Sequence, residues 1–214
     1  MKPFILLFIS VLLTASCSST SVKKDTSFDQ KSATGMIVFG LTLSPLAASP
    51  IVKFRKYDPG TGKASTKETF GTSFLSQAIE AQQTRDGVKT YFFLNMPAGH
   101  WYLESFFSSS NDGMKISQNN IIFSSGTFAF EAKPGVAAYV GEYHFAIDQF
   151  GHTSFTKQKD MQPIAESKLL GFPNIRAGLE KQMPLAVRFS CDKKLALLGP
   201  NECDAEKIIV QPAN

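Results

Sequence analysis

Two sets of polar residues in this chain have types and spacings that could do chemistry. His144, Asp148 and His152 flank one expected turn, and imidazoles with a carboxylate suit a divalent metal ion. Glu104 and Glu142 lie in separate expected strands, and two carboxylates across a glycosidic bond would serve as acid and base. Neither set is closed by the sequence. His144 falls on the strand face opposite Tyr143 and Phe145, where a surface or hydrogen-bonded histidine is the simpler and commoner explanation. Nothing sets the separation of the two glutamates, and strand glutamates facing solvent are commoner. His100, next to Trp101, reads as a turn-rim residue. The chain has no Gly-x-Ser-x-Gly elbow, no phosphate loop or Gly-x-Gly-x-x-Gly after a strand, and no His-Glu-x-x-His. The expectation is a protein that is not an enzyme and needs no cofactor or metal. A metal-dependent envelope enzyme built on His144, Asp148 and His152 is the alternative.

A third reactive group is the thiol of Cys17. It ends the run Leu13-Thr14-Ala15-Ser16-Cys17, which follows Lys2 and the apolar stretch from Phe4 to Leu13. A short positive region and about ten apolar residues make a secretory signal. A membrane-spanning helix needs about 20. The small residues before Cys17 resemble the lipobox of bacterial lipoproteins, with Thr14 where leucine is commoner. That resemblance implies cleavage before Cys17, diacylglycerol on its sulfur and acylation (palmitate) of the new N-terminus. A plain secretory signal that happens to end near a cysteine is the simpler alternative. Ser18, rather than Asp, implies an outer-membrane destination by the same resemblance. The acyl chains would then be the membrane contact, since each buried methylene contributes about 0.8 kcal/mol.

Residues 1–16 are therefore expected to be a signal peptide and residues 17–34 a lipidated cysteine with a flexible tether. The tether is polar, small and aperiodic, with an r.m.s. reach of roughly 20–25 Å. Residues 35–214 remain as a single domain, and 43% apolar with 19% charged residues is enough for an ordinary core. The formal net charge is +4, but the basic residues are scattered. No stripe of Lys and Arg suggests nucleic acid. Cys191 and Cys203 flank a Lys-rich loop containing Gly199-Pro200. In an oxidising periplasm they would pair as a disulfide, contributing about 3 kcal/mol. A zinc site is the other option, without further ligands at a usual spacing.

The elements that must position these residues read as strands. Residues 36–43 and 51–57 are apolar or alternating, and Lys67 to Gly71 suits a short edge strand. Val88, Thr90, Phe92, Leu94 and Met96 share one face. Met96-Pro97-Ala98-Gly99 then turns the chain into His100 to Phe107, expected to return as the second arm of a hairpin. Trp101, Tyr102, Phe106 and Phe107 on that arm form a possible binding surface for sugar, peptide or protein, or else fill the core. After Lys133-Pro134-Gly135, the longest expected strand runs from Val136 to Ile147. Tyr139, Tyr143, Phe145 and Ile147 would line one of its faces, with Gly141 leaving room for a bulge. A short helical segment near 160–182 precedes further C-terminal strands at 184–189 and 207–210. Strands every eight to twelve residues indicate a mainly β fold, an antiparallel β-sandwich of transthyretin or Ig type.

The residues Met96 to Leu103 and Lys133 to Gly141 resemble a recurrent design in uncharacterised bacterial lipoproteins. Their domains are similar to the carboxypeptidase-regulatory or transthyretin-like sandwich. The likeness spans about 60 residues, Val88 to Ile147, and implies a noncatalytic role in binding or structure. The expected protein is an envelope lipoprotein, not enzymatic by that likeness, whose periplasm-facing domain binds or scaffolds other envelope components. The partner would be an envelope protein or glycan, and a surface-exposed adhesin or host-facing lipoprotein is the other orientation.

Overall fold

The computed structural model describes residues 22–43, 51–71, 79–84, 87–111, 116–122, 127–147, 153–191 and 205–210. In chain order the first strands are β1 Thr34–Leu43, β2 Ile51–Tyr57, β3 Ala64–Gly71, β4 Ile79–Thr84, β5 Gly87–Pro97, β6 Gly99–Asn111 and β7 Ile116–Ile122. There follow β8 Thr127–Ala132, β9 Ala137–Ile147, β10 Thr153–Lys157, helix α1 Gln162–Leu169, β11 Leu179–Lys181, β12 Leu185–Cys191 and β13 Ala205–Val210. They form two sheets packed face to face. The first has the order β10-β9-β1-β5-β4, with β11 also on β9. The second has the order β13-β12-β8-β6-β2-β3, with β7 also on β6. The mainly β sandwich expected from strand spacing is what the chain builds. Pairing is antiparallel except where β9 meets β1 and β11.

Aromatic rings join the sheets. Phe39 of β1 stacks on Phe92 of its neighbour β5 at 4.8 Å and, across the sandwich, meets Phe54 of β2 edge-on at 6.0 Å. Phe128 of β8 stacks on Tyr143 of β9 at 4.2 Å. These stacked and edge-on contacts add to the gain from burying the rings. Phe92, Leu94 and Met96 all lie in this core, as the alternation in β5 requires.

The Pro97–Gly99 turn does not close a hairpin. β5 pairs with β1 and β4, whereas β6 pairs with β2, β7 and β8. The chain crosses from one sheet to the other at this turn. Gly99 takes φ 139°, a conformation that favours glycine, and Trp101 Nε1 donates to Pro97 O at 3.0 Å. The local residues specify a turn, and the partners available to each arm decide whether the arms pair.

A second apolar layer covers the outer face of the first sheet. Met36, Val38, Tyr91, Phe93, Ala137 and Tyr139 are overlaid by Ala165 and Leu169 of α1, by Phe172, and by Val22 and Phe28. This is why β1 is buried along nearly its whole length on both faces. It also corrects the extent of the tether, because residues 22–34 are part of the folded domain. Val22 N donates to Phe93 O at 3.2 Å, Phe28 N to Asn174 O at 3.2 Å, and Arg176 N to Phe28 O at 2.8 Å. Two apolar residues in a polar stretch suffice, because the sheet leaves an apolar face for them to cover. Gly135, at φ 70°, lets the β8–β9 turn pass against the backbone of Gln30.

Candidate functional site

The outer face of the first sheet carries the most enclosed polar cluster among the described residues. It arises from β5, β1 and β9 in register: Gly40 of β1 lies between Tyr91 of β5 and Glu142 of β9. One row further on, Thr42 lies between Lys89 and His144. The strand β9 carries one extra residue here, since Val38 is opposite Tyr139 but Gly40 is opposite Glu142. Gly141, at φ 114°, takes up the bulge. The bulge reverses the alternation of β9. Tyr143 and Phe145 therefore point into the core between the sheets, while Tyr139 points outward with Glu142. The single face expected for Tyr139, Tyr143 and Phe145 is corrected by this one inserted residue.

Glu142 is almost fully enclosed, at 1% exposure. Its side chain lies across Gly40, where any side-chain carbon would collide with the carboxylate. Having no Cβ at residue 40 lets the glutamate reach over β1 to β5. There Lys89 Nζ meets Oε2 at 2.8 Å, and the ammonium sits 5.3 Å from the Tyr91 ring centroid. The Tyr139 hydroxyl donates to Oε1 at 2.8 Å and accepts from Met161 N at 2.9 Å, so it ties the carboxylate to the start of α1. The Tyr91 hydroxyl lies beside the same carboxylate without a well-formed hydrogen bond, and the carboxylate's charge bears on the phenol. Burial first, and then the adjacent Glu142, push both phenols well above the ordinary tyrosine pKa. Both stay protonated, and Tyr139 serves as a donor, not as a base.

Replacing Gly40 by alanine is expected to drive the carboxylate off Lys89 and cost about 1–3 kcal/mol. Thermal unfolding of the variant measures this, and an unchanged midpoint would mean the carboxylate has room to swing clear.

The second carboxylate is held separately. Glu104 is the extra residue of a bulge in β6, where Lys53 faces Ser105 but Phe54 faces Leu103. Arg55 Nη2 pairs with its Oε1, and Lys53 Nζ lies 3.1 Å from Oε2. Phe54 points into the core, so Arg55 and the carboxylate it holds belong to the outer face of the second sheet. The two glutamates are thus separated by the aromatic core and by two sheets about 10 Å apart. They cannot flank one glycosidic bond, and that catalytic pairing is excluded.

Of the metal candidates, His144 is half-buried beside Glu142 on β9, and its Nε2 has no hydrogen-bond partner among the described residues. Asp148 and His152 lie outside the described residues. Among the described residues no three His, Cys, Asp or Glu side chains are placed to share an ion. Trp101 and Tyr102 are core residues, 2% and 0% exposed, so neither belongs to an exposed aromatic surface. Trp101 meets Phe70 and Tyr102 meets Tyr57, ring to ring at 6.1 Å in each case. The side chains of Phe106 and Phe107 lie outside the described set, as do Cys17, Cys203 and the side chain of Cys191.

The Lys89–Glu142–Tyr139 cluster escaped the sequence reading. Its only local signal was Gly141 within a strand; the lysine and the glycine notch come from strands far apart in the chain. No family model matches this chain, and neither the curated proteins nor the solved structures contain a match.

Proposed function

We propose that this protein is an envelope lipoprotein, held in the outer membrane by acyl chains on Cys17, whose periplasm-facing sandwich binds or scaffolds other envelope components without catalysis. The observation that carries this reading is the run Leu13-Thr14-Ala15-Ser16-Cys17 behind a ten-residue apolar stretch. The domain supports it, since Glu104 and Glu142, the buried carboxylates among the described residues, are each held in ion pairs. No helix among the described residues is long and apolar enough to cross a membrane.

The test is metabolic labelling with radioactive palmitate, followed by crosslinking in the native envelope and mass spectrometry. The intact chain is expected to take up label and to crosslink to a defined envelope protein or glycan. Cys17→Ala is expected to lose the label and leave the membrane fraction. Label retained by Cys17→Ala would sink the lipoprotein reading. A turnover activity abolished by replacing one polar residue would sink the noncatalytic one.

A further inference from the structure

The folded N-terminal segment leaves very little chain between the expected lipid anchor and the domain. Val22 is buried and hydrogen-bonded to Phe93. Only Ser18 to Ser21 separate it from Cys17. Five residue steps span at most about 18 Å even when fully extended. A domain of this size has a radius of gyration of about 16 Å, and hence a diameter near 40 Å. The leash is shorter than half that diameter. A lipidated Cys17 therefore dictates which face of the domain meets the membrane: the face from which Val22 emerges.

That face is the layer over the first sheet. The ring of Phe93, whose carbonyl accepts from Val22, lies 5.3 Å from that of Phe172. Two residues before Phe172 is Leu170, at the C-terminal end of α1. Leu170 is the most exposed large apolar side chain among the described residues, at 85%. Lys23 and Lys24 are exposed and are the first charges after Cys17. Arg176, also exposed, is joined through its backbone to Phe28 of the same N-terminal segment. An isolated exposed leucine is unremarkable on a free surface. Here it follows Leu169, which packs in the same layer as Val22 and Phe28, and the segments that build that layer also carry the exposed Lys23, Lys24 and Arg176.

Resting on the lipidation of Cys17 proposed above, we infer that the α1-bearing face of the first sheet docks on the bilayer carrying the anchor. Leu170 enters the headgroup–acyl boundary, and Lys23, Lys24 and Arg176 meet anionic headgroups. The fit is that of an amphipathic surface lying in the interface, where apolar burial and attraction to anionic lipid act together. The second sheet, with its edge strand β3, faces away and is left for other partners.

The test uses the full lipidated chain, reconstituted into vesicles of phosphatidylglycerol and brominated phosphatidylcholine. Tryptophan is placed at Leu170 (Leu170→Trp) or, on the opposite sheet, at exposed Thr66 (Thr66→Trp). The buried Trp101 is a common background. Bromine quenches only tryptophans that reach the acyl boundary, so Leu170→Trp emission is expected to fall about twofold while Thr66→Trp is unchanged. Adding Lys23→Glu and Lys24→Glu is expected to reverse much of the quenching, as is high salt. The mass of the N-terminal peptide reports lipidation in the same samples. Lipid on Cys17 with no quenching at residue 170, or equal quenching at 170 and 66, overturns the docking face and leaves the lipoprotein reading standing. An unmodified Cys17 overturns both. A Leu170→Trp signal that follows protein concentration but not bromine assigns the face to a second copy of the chain, and also overturns the proposal.

Discussion

Lys89→Met is expected to destabilise the domain by about 3–5 kcal/mol, the usual cost of removing one partner from a buried ion pair. Methionine keeps the length of the lysine stem and its packing on Tyr91, so the change is mainly one of charge. It leaves the Glu142 carboxylate 1% exposed, with Tyr139 as its remaining hydrogen-bond donor. An unpaired buried carboxylate costs several kcal/mol, and a domain's entire stability is only about 5–15 kcal/mol. Adding Glu142→Gln removes the stranded charge and keeps an oxygen for the Tyr139 hydroxyl. The double variant is therefore expected to be more stable than Lys89→Met alone, by about 1–3 kcal/mol. Urea unfolding followed by far-UV circular dichroism measures both. Strictly additive effects of the two substitutions would show that the 2.8 Å contact carries no coupling.

Phe28→Ala is the second large effect, at about 3–5 kcal/mol, because the ring is fully buried and its removal leaves a cavity. A phenylalanine in a solvated tether would change stability by no more than about 0.5 kcal/mol. The two descriptions of residues 22–34 are thus separated by nearly an order of magnitude. Limited trypsin digestion gives an independent readout. In the intact protein the backbone of this segment is held at Phe28 by Asn174 and Arg176 and at Val22 by Phe93. Cleavage after Lys24 or Lys31 should be slow in the wild type and rapid in Phe28→Ala. Equal rates and equal unfolding midpoints would return the segment to the status of a tether. The same substitution should lengthen the leash from Cys17 and loosen the membrane orientation inferred from it.

Strand identity was largely legible from local alternation. In β5 the inward Phe92, Leu94 and Met96 and the outward Lys89, Tyr91 and Phe93 follow the two-residue period of a pleated strand without exception. The helix at α1 was legible too, from Ile164, Ala165, Leu169 and the flanking proline and glycine, but the expected helical segment of 160–182 is cut to Gln162–Leu169, because Leu179–Lys181 pairs with β9 as β11. The alternation failed at one place, Gly141, where an inserted residue turned Tyr139 away from Tyr143 and created the outward pocket for Glu142. A glycine in a strand signals a bulge without saying whether one forms. The aromatic run from Trp101 illustrates a second limit. A row of rings on a strand looks the same whether it is destined for a surface or a core, and burial in the folded chain decided the matter for Trp101 and Tyr102.

By itself, then, the sequence determined the long strands β1, β2, β5, β6 and β9, the turns at Pro97–Gly99 and Pro134–Gly135, the mainly β class and the motif at Cys17. Each of these depends on residues adjacent in the chain. The tertiary structure alone decided that β5 and β6 belong to different sheets, that β9 runs parallel to β1, and that Phe28 is core. It also decided that Lys89 reaches Glu142 across Gly40. The physical reason is the same in all four cases. Pairing and burial are set by which surfaces remain uncovered once the rest of the chain has folded, and no short stretch of sequence contains that information.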